Sequence, residues 1–205
     1  MNTFTEHLDW RQADKAFKQG GTIGEDKMAK IFNAIIKAPT SFGLQPFYVK
    51  AVKDAATKEK LKAVAWNQPQ FSTADTVLVF VARTDIKKRI DEFVQLIKTN
   101  DPERSKTVDG YEKMMRGSLE TRSPQDLLYW AAKQAYIALG FALAACAELE
   151  VHSCPMEGFS GPDFDKIFQL PEGHQSVVTL AIGVADPQAP HLPKLRFDRK
   201  DIIRA

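Results

Sequence analysis

Apolar residues in this chain follow two rhythms. Met28, Ile31, Phe32, Ile35 and Ile36 recur at i, i+3, i+4, i+7 and i+8, which predicts an amphipathic helix over Glu25–Lys37, ended by Ala38-Pro39. The run Thr76-Val77-Leu78-Val79-Phe80-Val81-Ala82 is continuously apolar and β-branched, and predicts a strand buried on both faces. Residues 176–183 predict a second buried strand, Phe47–Val52 a third, and residues 152–154 a short one. Further helices are predicted over residues 4–17, 55–64 (capped by Asp54), 87–99, 105–121 and 163–168. Gly20-Gly21 breaks the first of these, and Trp66-Asn67-Gln68-Pro69-Gln70-Phe71 reads as an amide-rich loop.

One helix dominates the pattern. Ser123 is an N-cap with Pro124 at the first helical position, and Gln125 and Asp126 fill the first turn. Between Lys133 and Glu148 the run 134–147 carries no charge and is apolar on every face, which predicts a buried helix. That run falls short of the roughly 18–20 residues needed to span a bilayer. Its many alanines let other backbones come close, so several elements should pack around it. Beyond it comes Ser153-Cys154-Pro155-Met156-Glu157-Gly158-Phe159. There Pro155 fixes φ and Gly158 permits close approach, and a helix-to-strand connection is the plainest reading.

Strands are few and scattered among helices, without regular βαβ alternation. The expected class is α+β: a small mixed or antiparallel sheet with helices on both sides of it, built around the long central helix. The 205 residues, 44% apolar and 26% charged, suit one domain over 1–205. A net charge of +2 is too mild to argue for nucleic acid or membrane partners. Cys146 and Cys154 form no CxxC pair, and the polar start shows no apolar leader, so a reducing, cytoplasmic setting is expected. Residues 187–205 differ from the rest. Pro187, Pro190 and Pro193 argue against helix, and Lys194, Arg196, Arg199, Lys200 and Arg204 charge the segment. With few apolar anchors it should be an extended arm, either disordered or laid along another surface.

Several chemistries find no support. No GxGxxG, GxxxxGK[ST] or GxSxG occurs, and His7, His152, His174 and His191 show no metal spacing, so no metal is expected. What remains is a scatter of donors: Arg11 and Lys15 (on one face if helical), the 40–45 loop, Asn67, Gln70, the Glu157-Gly158 backbone, Lys194 and Arg196. Arg11 and Lys15 read most simply as a solvated basic edge, and the 40–45 loop as a tight turn. Taken together, the donors suit a protein that holds a cofactor which does the chemistry.

Five segments in order carry a resemblance. Arg11-Gln12-Ala13-Asp14-Lys15-Ala16-Phe17 resembles an opening R-x-S-x-K/R-x-F. Residues 38–47 resemble A-P-S-S-x-N-x-Q-P-W, and Asn67-Gln68-Pro69-Gln70 sits where an asparagine and a lysine or glutamine face a flavin. Residues 130–136 with Pro155-Met156-Glu157-Gly158-Phe159 resemble a core helix and its P-x-E-G-F turn, and Pro193-Lys194-Leu195-Arg196 resembles P-K-x-R. Over nearly its whole length the chain resembles the nitroreductase family of flavoproteins, in its oxygen-insensitive NAD(P)H-dependent, dihydropteridine reductase-like branch.

The resemblance implies a nitroreductase-like fold, with FMN bound non-covalently in a homodimer and the C-terminal arm exchanged between subunits. It implies that Arg11, Lys194 and Arg196 hold the phosphate, that Gln12, Ala13 and Pro155 also touch the cofactor, and that Lys15, Asn67 and Gln70 address the pyrimidine edge. The Glu157-Gly158 peptide would lie beside flavin N5. Thr40, Ser41 and Gly43 would come from the other subunit, and Ser41, Phe42 and Trp66 would meet the substrate. NADH or NADPH would reduce the flavin and leave, and a nitroaromatic, quinone or related small acceptor would then take the electrons. No side chain is expected to act as an acid, base or nucleophile. Ala13 and Gly43, which replace a serine and an asparagine, leave open a non-catalytic flavin-binding or storage protein of the same fold. Phe42 is bulkier than the family's usual residue, which should narrow the acceptor pocket. A tail that grips nucleic acid is a third reading.

Overall fold

In the computed structural model, which describes residues 3–190 and 193–204, the two apolar runs pair with each other in the middle of one sheet. The elements run α1 (Phe4–Trp10), α2 (Glu25–Lys37), β1 (Phe47–Val52), α3 (Ala55–Ala63), α4 (Pro69–Thr73), β2 (Thr76–Arg83), α5 (Ile86–Asn100) and α6 (Pro102–Ser105). They continue with α7 (Val108–Leu119), α8 (Pro124–Glu148), β3 (His152–Met156), α9 (Gly161–Phe168), β4 (His174–Gly183) and α10 (Arg199–Ile202). The strand order is β1-β2-β4-β3, and every pairing is antiparallel.

Strand β2 shows why both faces are covered. Its residues are buried from Thr76 to Ala82, and its side chains alternate between two layers. Val77, Val79 and Val81 pack with Leu61 of α3, Phe71 of α4 and Phe164 of α9. Leu78 and Phe80 pack with Met28, Ile31 and Ile35 of α2 and Ala135, Ala138, Ala142 and Cys146 of α8. A third cluster joins Ala82 and Leu44 to α5, α7 and the first turns of α8. The α+β expectation stands, with the sheet antiparallel.

Four expectations need correction. Residues 4–17 do not form one helix: α1 stops at Trp10, and Arg11 is extended at φ −62, ψ 129. Ala13 instead forms a parallel bridge with Ser153, and Phe17 an antiparallel one with Ala185. The cause is tertiary. Asp14 is buried, its Oδ2 accepts the Ser153 N–H at 3.1 Å, and its own N–H donates to Ser153 O at 3.3 Å. Phe17 fills the space beside Gly183, where a Cβ would lie 2.8 Å from its ring.

Residues 66–71 are not all loop, because Pro69 starts α4. The 105–121 prediction divides into α6 and α7. The arm contains a short helix, α10, beyond its last proline. His191 and Leu192 lie outside the described residues.

Helix α8 is capped as expected, with Ser123 Oγ accepting the Asp126 N–H at 3.1 Å. By length and composition alone it could cross a membrane, yet its small-residue face is packed into the core. It is not buried all round, since Tyr129, Tyr136, Ile137 and Phe141 remain substantially exposed. The arm likewise exposes Leu195, Phe197, Ile202 and Ile203, none of which anchors it within the chain. One chain therefore leaves apolar surface uncovered along α8 and the arm, among other places.

Ala138 is fully buried among α2 side chains and Leu78. Ala138→Leu should destabilise the fold by about 1–3 kcal/mol through overpacking. Urea unfolding measures this, and an unchanged midpoint would mean that the α2–α8 contact is loose.

Candidate active site

Strand β3 is a sheet edge with only one side paired to another strand. Its free side is met by the 11–17 segment at Ser153. Two residues on, Pro155 has no N–H, so the edge cannot recruit a further strand there. The edge then runs into Glu157-Gly158, where the Gly158 N–H has no hydrogen-bond partner among the described residues.

That turn is held from two sides. Gln68 Nε2 donates to Gly158 O at 2.6 Å, and the Tyr136 hydroxyl donates to Glu157 Oε1 at 2.6 Å. A Cβ on Gly158 would sit 2.5 Å from Trp66 Cζ3, so the indole of Trp66 lies directly on the glycine. Trp66 is nonetheless 77% exposed. Trp66 and Asn67 both have positive φ, at 55° and 56°, as do Phe42 at 59° and Gln45 at 44°. Non-glycine residues pay for this conformation, and it concentrates at functional loops. These four lie in the two loops singled out for donor content; Glu150 and Gln169, just beyond the ends of α8 and α9, share the conformation.

At the other end of the edge, a pocket of about 180 Å³ is lined by Arg11, Gln12, Ala13, Lys15, Pro193, Lys194, Leu195 and Arg196. Six predicted site residues therefore converge, though not by the helical face expected of Arg11 and Lys15. Lys194 Nζ donates to Leu8 O at 2.6 Å and Asp9 O at 2.8 Å, carbonyls near the C-terminal end of α1. This bond ties the arm to the N-terminal segment. Burial, and then the charges of Arg11 and Arg196, hold the Lys194 pKa below its ordinary value. Among the described residues none of Arg11, Lys15, Lys194 and Arg196 has a carboxylate partner within salt-bridge distance. Unneutralised cations gathered in one pocket suit a phosphate, whose oxygens accept from forked and pointed donors alike.

Other predicted residues lie elsewhere. Gln70 is buried by α4, with Nε2 3.9 Å from Cys154 Sγ, and its Oε1 has no hydrogen-bond partner among the described residues. Burial pushes the Cys154 thiol above its ordinary pKa, so it is no ready nucleophile. The Ser41–Gly43 turn precedes β1, at the opposite edge of the sheet from β3. Ser41 N–H donates to Gln134 Oε1 at 2.8 Å, the Tyr111 hydroxyl donates to Phe42 O at 3.1 Å, and Gly43 has φ 74°. One chain thus assembles the cation pocket and the Gly158 turn, but does not bring Thr40, Ser41, Phe42 and Gly43 to them.

Sequence reasoning missed Asp14, Gln68 and Tyr136. Gln68 stood in the amide-rich stretch, but nothing in the pattern chose it over Gln70 until Pro69 was seen to open a helix. No group of three or more potential metal ligands gathers among the described residues.

Gly158→Ala should force Trp66 aside and break the Gln68 bond, a loss of about 1 kcal/mol or about 2–4 °C in Tm. Thermal melting and tryptophan emission report it together. An unchanged emission spectrum would show that Trp66 does not rest on Gly158.

Residues 8–184 match the Nitroreductase family. The Bacillus subtilis protein named "Putative NAD(P)H nitroreductase YfkO" is 31% identical over 218 residues, which cover 98% of this chain and 97% of that one. The fold is that of the B. subtilis protein described as "putative nitroreductase ydfN", with TM-score 0.90, 20% identity and 98% of each chain covered. It is also that of an Exiguobacterium sibiricum protein solved in complex with FMN, with TM-score 0.87, 18% identity, and 100% of this chain and 98% of that one covered. The matched stretch takes in both the segment pinned by Asp14 and the Gly158 turn, and the chain belongs to the nitroreductase family.

Proposed function

We propose that this chain is an FMN-dependent oxidoreductase that draws on NADH or NADPH and passes two electrons to a small acceptor of the nitroaromatic or quinone class. It works as a homodimer in the cytoplasm. The observation that carries the reading is the cation pocket at one end of the β3 edge, with the glycine turn at the other. These residues fit FMN: the pocket has charge for a phosphate, and Gly158 offers a main-chain N–H without a partner among the described residues to a flavin cleft beside it. When bound, FMN would supply the two-electron redox chemistry that links the nicotinamide to the acceptor.

The chain's own residues bind and orient. Arg11, Lys194 and Arg196 grip the phosphate, with Gln12 and Ala13 beside them; Ala13 has no hydroxyl to add. Lys15 lines the same pocket and would bring positive charge to the flavin's pyrimidine edge. Asn67 and the 157–158 peptide approach from the strained loop and the turn, and Trp66 offers an exposed ring to the acceptor. The Ser41–Gly43 turn reaches the cleft from the partner subunit, because in one chain it lies at the wrong edge of the sheet. The exposed face of α8 and the apolar residues of the arm supply the dimer surface. A groove of about 410 Å³ along β1, lined in part by Phe32, Ile36, Phe47 and Val49, offers cover for an arm that crosses over.

The purified protein should be yellow, bleached by NADH or NADPH without oxygen, and re-oxidised by a nitroaromatic or a quinone. A protein that takes up no FMN would end this reading. One that binds FMN but resists both nicotinamides would be a flavin-binding protein only.

Arg11→Ala should raise the FMN dissociation constant about tenfold or more, since a hydrogen bond to a charged group contributes about 1.5–3 kcal/mol. Arg199→Ala, on exposed α10, should change it little. Fluorescence titration compares them, and equal constants would remove Arg11 from the phosphate. Deletion of residues 187–205 should both weaken the dimer and release FMN, two losses from one cut. Size exclusion and bound-flavin absorbance decide this, and a truncated protein still dimeric and fully yellow would make the arm a mere tail.

A further inference from the structure

Gly158 donates no hydrogen bond from its N–H to any of the described residues, while its carbonyl is taken by Gln68. The neighbouring Glu157 carboxylate is exposed, yet it is not left to rotate. The Tyr136 hydroxyl, on the exposed side of α8, reaches Glu157 Oε1 at 2.6 Å, with Val177 O a more distant second acceptor at 3.3 Å. A phenol has one proton to give, and the shorter contact is to the charged group. Burial first, then the bond to Glu157, raises the Tyr136 pKa, so the phenol keeps that proton through the biological range.

We propose that Tyr136 is a positioning residue: it holds the Glu157 carboxylate against the central helix and so keeps the Gly158 N–H open to a ligand in the cleft. The inference rests on the flavin site proposed above. Two consequences follow from charge. A carboxylate whose lone pair is occupied by a phenol presents less negative charge to the cleft. Freed, it can turn inward, where it disfavours both the bound flavin and the addition of electrons to it.

The test is a double-mutant cycle on the FMN-loaded protein, using Tyr136→Phe, Glu157→Gln and the pair. Tyr136→Phe keeps the ring and its packing. It should raise the FMN dissociation constant about three- to tenfold and lower the flavin midpoint potential. Glu157→Gln should raise the potential, and adding Tyr136→Phe to it should change neither quantity further. A Tyr136→Phe effect of the same size in both backgrounds would show that Tyr136 acts by packing, and would overturn the proposal. So would no effect at all in the single variant.

Amide exchange of Phe159 in FMN-free protein gives an independent readout, because its N–H donates to Glu157 O at 2.9 Å within the turn. Exchange about tenfold faster in Tyr136→Phe supports the clamp, and equal rates reject it. If the wild-type protein bound no FMN, the flavin reading would fail, while this exchange measurement would still decide the clamp.

Discussion

Asp14 fastens the N-terminal segment to the sheet, and the cation pocket depends on that attachment. A buried carboxylate is tolerated only when its oxygens are well partnered. Asp14 accepts the Ser153 N–H through one oxygen, while the other lies 3.2 Å from His152 Nδ1 and accepts from Gln12 Nε2 at 3.3 Å. These bonds end α1 and lay residues 11–17 along the β3 edge. Arg11 and Lys15 are thereby brought beside it, and the end of α1 is turned so that its carbonyls can receive Lys194. Without the Asp14 attachment, the four cations of the pocket have no reason to meet.

The sheet supplies the rigidity. Strand β2 is buried on both faces and anchors β1 on one side and β4 on the other. Strand β3 lies outside β4, one side paired and one side free. Exposed edges invite unwanted pairing, and this one is managed by Ala13 at Ser153 and by the missing donor of Pro155. What remains open is a short stretch of main chain ending at Gly158. Beside it Trp66 and Asn67 are both in the left-handed region, and the Trp66 indole lies on Gly158.

The scaffold was largely legible in the sequence. The α2 periodicity, the β2 run and the Ser123-Pro124 cap depend on local chemistry, and each element forms where those signals place it. The 11–17 segment was not legible. Its charges and Phe17 fit a helical period, and only the distant Ser153 and Gly183 show why it is extended. Gln70 and Gln68 look equivalent as letters, and the helix start at Pro69 turns one inward and leaves the other at the turn. The motif residues at the cation pocket were legible as a set, although the helical face invoked for two of them does not exist. The exposed apolar face of α8 could not be foreseen, because its residues read as core until the single chain was found to leave them uncovered.

The central claim is that Arg11, Lys194 and Arg196 form a phosphate grip at the end of the β3 edge. Comparing FMN with riboflavin on the same protein tests it most directly, since the two ligands share the ring and the ribityl chain and differ in the phosphate. With two or more charge-assisted bonds lost, riboflavin should bind about 100-fold more weakly, and the difference should shrink as salt is raised. Equal affinities for the two flavins would contradict the account.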